Sequence, residues 1–384
     1  MHRLSRRVPF AVPGPLVLML LLLLCGLSLP VRAAESFELT LTHEENIALG
    51  AFVGVENLLG SITVGPGMNG RRLSVEVRVV AEAPTRGEAR DLARTVRLRR
   101  DDAAGGAMHH VVFPVDRYTA FRPPRSETAH RLARWITPLL RKSTVAAEYD
   151  DRLVEVGRAR GATALAVHVK IGLPLNVRSS FRQIAGSVTV KGLRGDVALE
   201  SVDGNLDARQ IYGDLVARTG SGALRVWKFH GKRLEVRSSS GDIALTDIRA
   251  DDARVTSASG WIRGQTLGGA SISIRSDSGD MELVDVESNV FDIETVNGKV
   301  DLAPRLDRVR EGSIRTGSGD VTLRVGELSS FDLEVETGNG SATFRGVELD
   351  LDDFRDDGGH FVRGRKGSRL RVATGSGDLV VRLR

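Results

Sequence analysis

The sequence predicts an all-β protein: a single-stranded parallel β-helix, or β-solenoid, with about 18–21 residues per coil and a short helical insertion. Three observations carry that prediction. A Gly-centred motif recurs along the second half of the chain, its copies fall into a long regular period, and Gly is abundant (42 of 384) while aromatic residues make up only 5%. Thin stacked strands tolerate that composition better than a bulky globular core does.

The motif reads Gly, a small or acidic residue, apolar, any residue, apolar. It occurs as Gly186-Ser-Val188-Thr-Val190, Gly195-Asp-Val197-Ala-Leu199 and Gly241-Asp-Ile243-Ala-Leu245, and again as Gly279-Asp-Met281-Glu-Leu283, Gly319-Asp-Val321-Thr-Leu323 and Gly377-Asp-Leu379-Val-Val381. Period-two alternation places Val188 and Val190 on one face and Thr189 on the other. From Gly204 the period lengthens through Gly222, Gly241, Gly260, Gly279, Gly298, Gly319 and Gly340, in steps of 18 to 21. Second alternations lie between, such as Leu234-Glu-Val236 and Phe291-Asp-Ile293. One unit cannot bury its apolar face alone; stacked units can, and each then pairs its backbone with the coils above and below. Nine or ten coils at a strand spacing of about 4.8 Å give a rod roughly 45 Å long. Corners such as Thr316-Gly-Ser-Gly319-Asp320 and Thr374-Gly-Ser-Gly377-Asp378 supply Gly for positive φ, with Ser, Thr or Asp to satisfy local backbone groups.

In chain order, residues 1–33 read as a secretory signal peptide. Arg3, Arg6 and Arg7 precede the apolar run Leu16–Leu24, and Val31-Arg32-Ala33 offers a cleavage site after Ala33. The run is short for a membrane span. Residues 34–99 read as N-terminal β coils with a short helix over Thr85–Arg94, and 100–160 as a helical and loop insertion. There Pro123-Pro124 precedes an amphipathic stretch through Leu132, Trp135 and Ile136, expected to cover an end or side of the stack. Residues 161–384 are the Gly-rich solenoid, in which 350–365 reads as a loop outside the coil, and Arg382 and Arg384 would discourage further strand addition.

These features resemble a family: the bacterial "putative adhesin" β-strand-repeat domain of unknown function, related to head GIN-type domains. Val55-Glu56-Asn57-Leu58-Leu59-Gly60-Ser61-Ile62-Thr63-Val64 is similar to its opening strand–turn–strand. Glu88-Ala89-Arg90-Asp91-Leu92 is similar to its short helix, and Thr374-Gly375-Ser376-Gly377-Asp378-Leu379 to its closing coil. The resemblance implies a parallel β-helix in the cell envelope and no established reaction.

Charge narrows the function. The formal balance of +5 includes four leader arginines; without them 50 basic residues face 49 acidic ones, which gives no clustered basic face for nucleic acid. The single cysteine, Cys25, lies in the leader, so the exported part has no disulfide, thiol nucleophile or Cys-based metal site. No later segment reaches membrane-spanning length.

The sequence assigns no catalytic, cofactor-binding or metal-ligating residue. The Gly-Asp corners lack the Gly-Gly-x-Gly-x-Asp turn of calcium-binding rolls and read as turn caps. His109-His110 is an adjacent pair whose rings face opposite ways on a strand, with no obvious carboxylate nearby. Thr219-Gly-Ser221-Gly222 occupies a repeat corner and its relatives recur along the rod, whereas a nucleophile would be singular. The reading is a non-enzymatic exported envelope or surface module, an adhesin-like binding or scaffold rod for a protein or glycan partner. A carbohydrate-active β-helix enzyme and an envelope-stress sensor are the alternatives.

Overall fold

The structure, a computed structural model, describes residues 34–48, 50–67, 72–103, 105–125, 144–157, 159–347, 350–355, 358–364 and 367–383. The expected leader at 1–33 and the expected helix around Trp135 lie outside the described residues. The rest is the β-solenoid the repeat predicts.

The chain begins with β1 (Glu35–Asn46), β2 (Phe52–Pro66) and β3 (Arg72–Ala83), followed by α1 (Arg86–Ala93). The helix starts on a reciprocal cap: the Glu88 N–H donates to Thr85 Oγ1 and the Thr85 N–H to the Glu88 carboxylate. Its Ala89, Leu92 and Ala93 are buried, and it packs on β1 and β3. Next come β4 (Arg97–Ala103), β5 (Gly106–Val112), β6 (Ala120–Arg122), β7 (Val145–Tyr149), β8 (Arg152–Val156) and β9 (Thr163–Leu173). The flanks of the expected 100–160 insertion are therefore strands, and β5 stacks in parallel register on β2, with Phe52 opposite Gly106 and Glu56 opposite His110.

β10 (Arg178–Lys191) returns to β2 in parallel, Phe181 against Val55 and Val188 against Ile62. The coils then climb through β11 (Val197–Asp203), β12 (Leu206–Tyr212), β13 (Leu215–Ser221), β14 (Leu224–Ser238), β15 (Ile243–Ser257), β16 (Ile262–Ser276) and β17 (Met281–Thr295). They continue with β18 (Val300–Pro304), β19 (Glu311–Thr316) and β20 (Val321–Val325). Val197, Leu245, Met281 and Leu323 are all buried, so the strand phase read from the alternation holds. From Leu224 to Thr295 each coil is one bent strand, stacked on the next without a break in register.

Two interior columns run through the stack. One is polar and buried: Asn57, Gln183, Ser201, Thr219, Ser238, Ser257, Ser276, Thr295, Thr316, Thr374 and Thr337, in spatial order. In several rungs its hydroxyls close the corner three residues on. Ser276 Oγ accepts the Gly279 N–H at 2.8 Å, Thr295 Oγ1 accepts the Gly298 N–H at 3.0 Å, and Thr316 Oγ1 donates to the Gly319 carbonyl at 2.6 Å. The other column is glycine: 60, 186, 204, 222, 241, 260, 279, 298, 319, 377 and 340. From Gly186 onward, a Cβ at each would lie 1.5–2.7 Å from the carbonyl oxygen of the glycine before it in that order. Positive φ is the reason only at some of these corners, such as Gly222 and Gly260; at Gly241, Gly279, Gly298, Gly319, Gly340 and Gly377 φ lies outside the left-handed region. The expectation that corner glycines serve φ is thereby corrected. Close approach of successive backbones is the commoner cause.

The left-handed corner proper belongs to other residues. Gln210, Lys228, Asp247, Thr266 and Asp285 have φ of 56–58° at equivalent positions in five successive coils.

The far end departs from chain order. β21 (Phe331–Thr337) and β22 (Ala342–Arg345) precede a hairpin of β23 (Asp350–Arg355) and β24 (Gly358–Arg363), and the chain ends with β25 (Ser368–Thr374) and β26 (Leu379–Leu383). β25 lies between β19 and β21, and β26 between β20 and β22. The segment read as the closing coil is thus the next-to-last rung, and the Gly340 rung lies beyond it. Arg382 does not face an open edge, because it pairs in register with Arg324 on one side and Arg345 on the other. Nor is 350–365 a simple loop: β24 adds to β21 antiparallel.

Candidate functional site

The opposite end is closed by antiparallel strands. β1 pairs β3, β3 pairs β9, and β9 stacks on the second half of β2; β4 pairs β5, which stacks on the first half. Alternation along β1 turns Phe37, Leu39 and Leu41 toward the core, and the same phase carries His43 and Glu45 inward. Along β5 the inward residues are Ala107, His109 and Val111. Three polar side chains therefore meet where the neighbouring rungs hold aliphatic ones.

His109 is fully buried, its Nε2 is 3.1 Å from Glu45 Oε1, and its Nδ1 lies 3.4 Å from the Gly54 carbonyl. His43 Nε2 is 3.9 Å from Glu45 Oε2, and the two imidazole centroids are 5.6 Å apart. Arg100, on β4, donates to Glu45 Oε2 at 3.0 Å and to Asp102 at 2.6 Å. Despite the short separations, His43 Nε2, Glu45 Oε1 and His109 Nε2 are buried atoms that form no aligned hydrogen bond among the described residues. Burial pushes the His109 imidazole below its ordinary pKa, against the opposing pull of Glu45. One ligand atom from each of the three residues lies within 4.8 Å of the others. The sequence reading missed this trio. It found that the His109 and His110 rings would part, which they do, but Glu45 supplies the carboxylate it did not see. The available signal was the Phe37-x-Leu39-x-Leu41-x-His43-x-Glu45 alternation, whose last two members are polar on a buried phase.

His110, on the outer face of β5, enters a separate cleft of about 270 Å³ lined by Glu56, Arg99, Glu148, Tyr149, Asp150 and Arg182 among others. Its Nδ1 is 3.0 Å from Glu56, Arg182 donates to the same carboxylate, and Arg99 bridges Asp101 at 3.0 Å and Asp150 at 3.2 Å. Glu56, Arg99, Asp150 and Arg182 each have an opposite partner, so most of the charge in the cleft is tied up in ion pairs.

The corner carboxylates cap turns. Asp242 Oδ1 accepts the Trp261 N–H at 3.0 Å, Asp280 Oδ1 the Lys299 N–H at 2.9 Å, and Asp378 Oδ1 the Ser341 N–H at 2.9 Å, each from the adjoining rung. Ser221 likewise sits at a repeat corner, donating to Asp203. Among the described residues Tyr118, Tyr212, Trp227 and Trp261 are exposed aromatics, and three of them, on the coils, have a cation over the ring: Tyr212 with Arg194 at 5.7 Å, Trp227 with Lys228 at 4.4 Å, and Trp261 with Arg263 at 4.9 Å.

The stacked coils, shared glycine column and antiparallel cap define a β-solenoid of the strand-repeat class. Within it, residues 207–382 match the family model of the Toastrack DUF4097 domain, a domain of unknown function. Among solved structures the chain is similar to a "putative cell adhesion protein" of Clostridium sporogenes (8% identity, covering 91% of this chain and 100% of that one, TM-score 0.19). It is also similar to a "putative lipid binding protein" of Parabacteroides distasonis (10% identity, 89% and 96% covered, TM-score 0.42). A third is a "putative adhesin" of Bacteroides fragilis (10% identity, 90% and 97% covered, TM-score 0.31). No curated protein matches the chain.

Proposed function

We propose that the protein is a non-enzymatic, exported envelope or surface rod that binds a protein or glycan partner along its side. The observation that carries this reading is the set of exposed aromatic–cation pairs on a stiff stack. Trp227 and Trp261 flank the short face between the glycine corner and the left-handed corner of their coils, and Tyr212 lies just past the left-handed corner of its own. Aromatic faces stack on sugar rings or apolar side chains at low ordering cost, because the ring has only two torsions to fix. Cations beside them add directional contacts to anionic or hydroxyl-rich partners. The rod holds these rings at fixed spacing, so the ordering cost of presenting several at once is met by folding.

The test is retention of bacterial envelope proteins and of arrayed envelope glycans by the purified protein, compared with a Trp227→Ala/Trp261→Ala variant. A deletion of residues 100–160 would remove β5 from the stack, so point changes on the surface are the cleaner probe. Retention weakened at least about tenfold, with an unchanged melting curve, supports the reading. Equal retention by the variant, or none by either protein, refutes it.

A further inference from the structure

We propose that His43, Glu45 and His109 form a binding site for a single divalent transition-metal ion, of which Zn²⁺ is the representative, clasping edge strand β1 to β5. The donor set is two imidazole nitrogens and one carboxylate oxygen, a combination that suits zinc and its neighbours rather than calcium or magnesium, which prefer all-oxygen shells.

Geometry supports it first. Ligand bonds of about 2.0–2.1 Å at near-tetrahedral angles place neighbouring donor atoms about 3.3–3.4 Å apart. Glu45 Oε1 is 3.1 Å from His109 Nε2 and Glu45 Oε2 is 3.9 Å from His43 Nε2, and one donor atom from each of the three residues lies within 4.8 Å of the others, so side-chain adjustments bring three donors onto one ion. Second, the three atoms lack other work. They are buried without an aligned hydrogen bond, although buried polar atoms in folded proteins are nearly always partnered. His109 is wholly enclosed, with its Nε2 turned toward the other two donors.

Third, the surrounding groups orient the donors as outer partners of metal ligands do. The Gly54 carbonyl faces His109 Nδ1 and thereby leaves Nε2 as the lone-pair nitrogen. Arg100 occupies Glu45 Oε2 and leaves Oε1 toward His109. Access is also in place: the His43 side chain is 38% exposed and that of Glu45 19%, so an ion can enter from the end of the rod, and a fourth position remains for water.

The experiment uses the purified protein after chelator treatment and gel filtration. Zn²⁺ is titrated calorimetrically, and Co²⁺ serves as a spectroscopic probe whose visible bands report nitrogen–oxygen coordination. Two variants accompany it: Glu45→Gln, which keeps shape, and His43→Ala, which alters a partly exposed residue; circular dichroism and melting in chelator verify that each is folded. The expected result is one Zn²⁺ per chain, a melting temperature raised by Zn²⁺ but not by Mg²⁺, and affinity lower by at least about tenfold in each variant. Absence of one-to-one binding, binding no tighter than that of Mg²⁺, or wild-type affinity in either folded variant overturns the proposal.

Discussion

The coils between Gly222 and Gly298 and the cap built from β1, β3, β4, β5 and β9 solve the same problem in different ways. In the coils each polar interior group has a standing partner: Ser276 with the Gly279 N–H, Thr295 with the Gly298 N–H, and the corner Asp of one rung with the backbone of the next. The solution is repeated because it is generic. In the cap, His43, Glu45 and His109 take inward positions that a leucine or valine would fill without cost, and their facing atoms are left without aligned partners. A buried unpartnered polar atom costs about 1–3 kcal/mol. The coils are thus built for persistence, while the cap retains groups that stability alone does not require.

The sharpest way to break this comparison is at the glycine column. Gly279→Val sets a Cβ 1.9 Å from the Gly260 carbonyl, in a rung that cannot shift without unstacking its neighbours. The expected loss exceeds about 4 kcal/mol, read as failure to fold or a collapsed urea midpoint. Gly268→Ala is the control: its Cβ would meet only the Ile248 carbonyl at 3.7 Å, and the midpoint should stay within about 0.5 kcal/mol of wild type. Comparable losses for both would show that glycine serves flexibility here rather than approach.

Strand phase gives the next largest effect. Val321→Asp places a charge in the core, where an unpaired ion costs several kcal/mol. Thr322→Asp points outward beside Asp301, whose charge Arg324 neutralises, so it should cost less than about 1 kcal/mol. Thermal melts of the pair check it; similar midpoints would contradict the assigned faces.

How much of this was legible in the sequence follows from what repeats. Gly279-Asp280-Met281-Glu282-Leu283 announces an inward Met and Leu because alternation is a local property of a strand. Rung order at the far end was not legible: Gly319-Asp and Gly377-Asp are equivalent corners, so nothing local says that β25 slips between β19 and β21. The left-handed corner was hidden for a related reason. Gln210, Lys228, Asp247, Thr266 and Asp285 share a backbone state but no side-chain chemistry. For the cap trio, His43 and Glu45 continue an apolar alternation and could have been flagged, whereas His109 lies 64 residues beyond Glu45 and joins them only through the tertiary stack.

Between coils and cap the contrast can be measured by removing polar groups from each. Thr295→Val deletes the acceptor of a buried N–H and should cost about 1–3 kcal/mol. His43→Leu/His109→Leu, melted in chelator, exchanges unpartnered polar atoms for apolar ones and should leave stability unchanged or raised. A loss in the cap as large as that of Thr295→Val would mean those imidazoles hold the end together, and the two regions would differ in topology alone.

The smallest effect tests whether even the coils are uniform. At the left-handed corner a β-branched side chain is the worst occupant, since φ near 56° crowds its branched Cβ, while Asn tolerates that state through local hydrogen bonding. Thr266→Asn should therefore raise stability by about 0.5–1 kcal/mol. Asp247→Asn, one coil away, should change it by only a few tenths, because Asp already tolerates the conformation. Urea midpoints measured side by side resolve the two. If Thr266→Asn lowers stability instead, the hydroxyl and methyl of Thr266 make contacts that outweigh the backbone strain, and each coil would carry its own solution at that corner rather than a shared one.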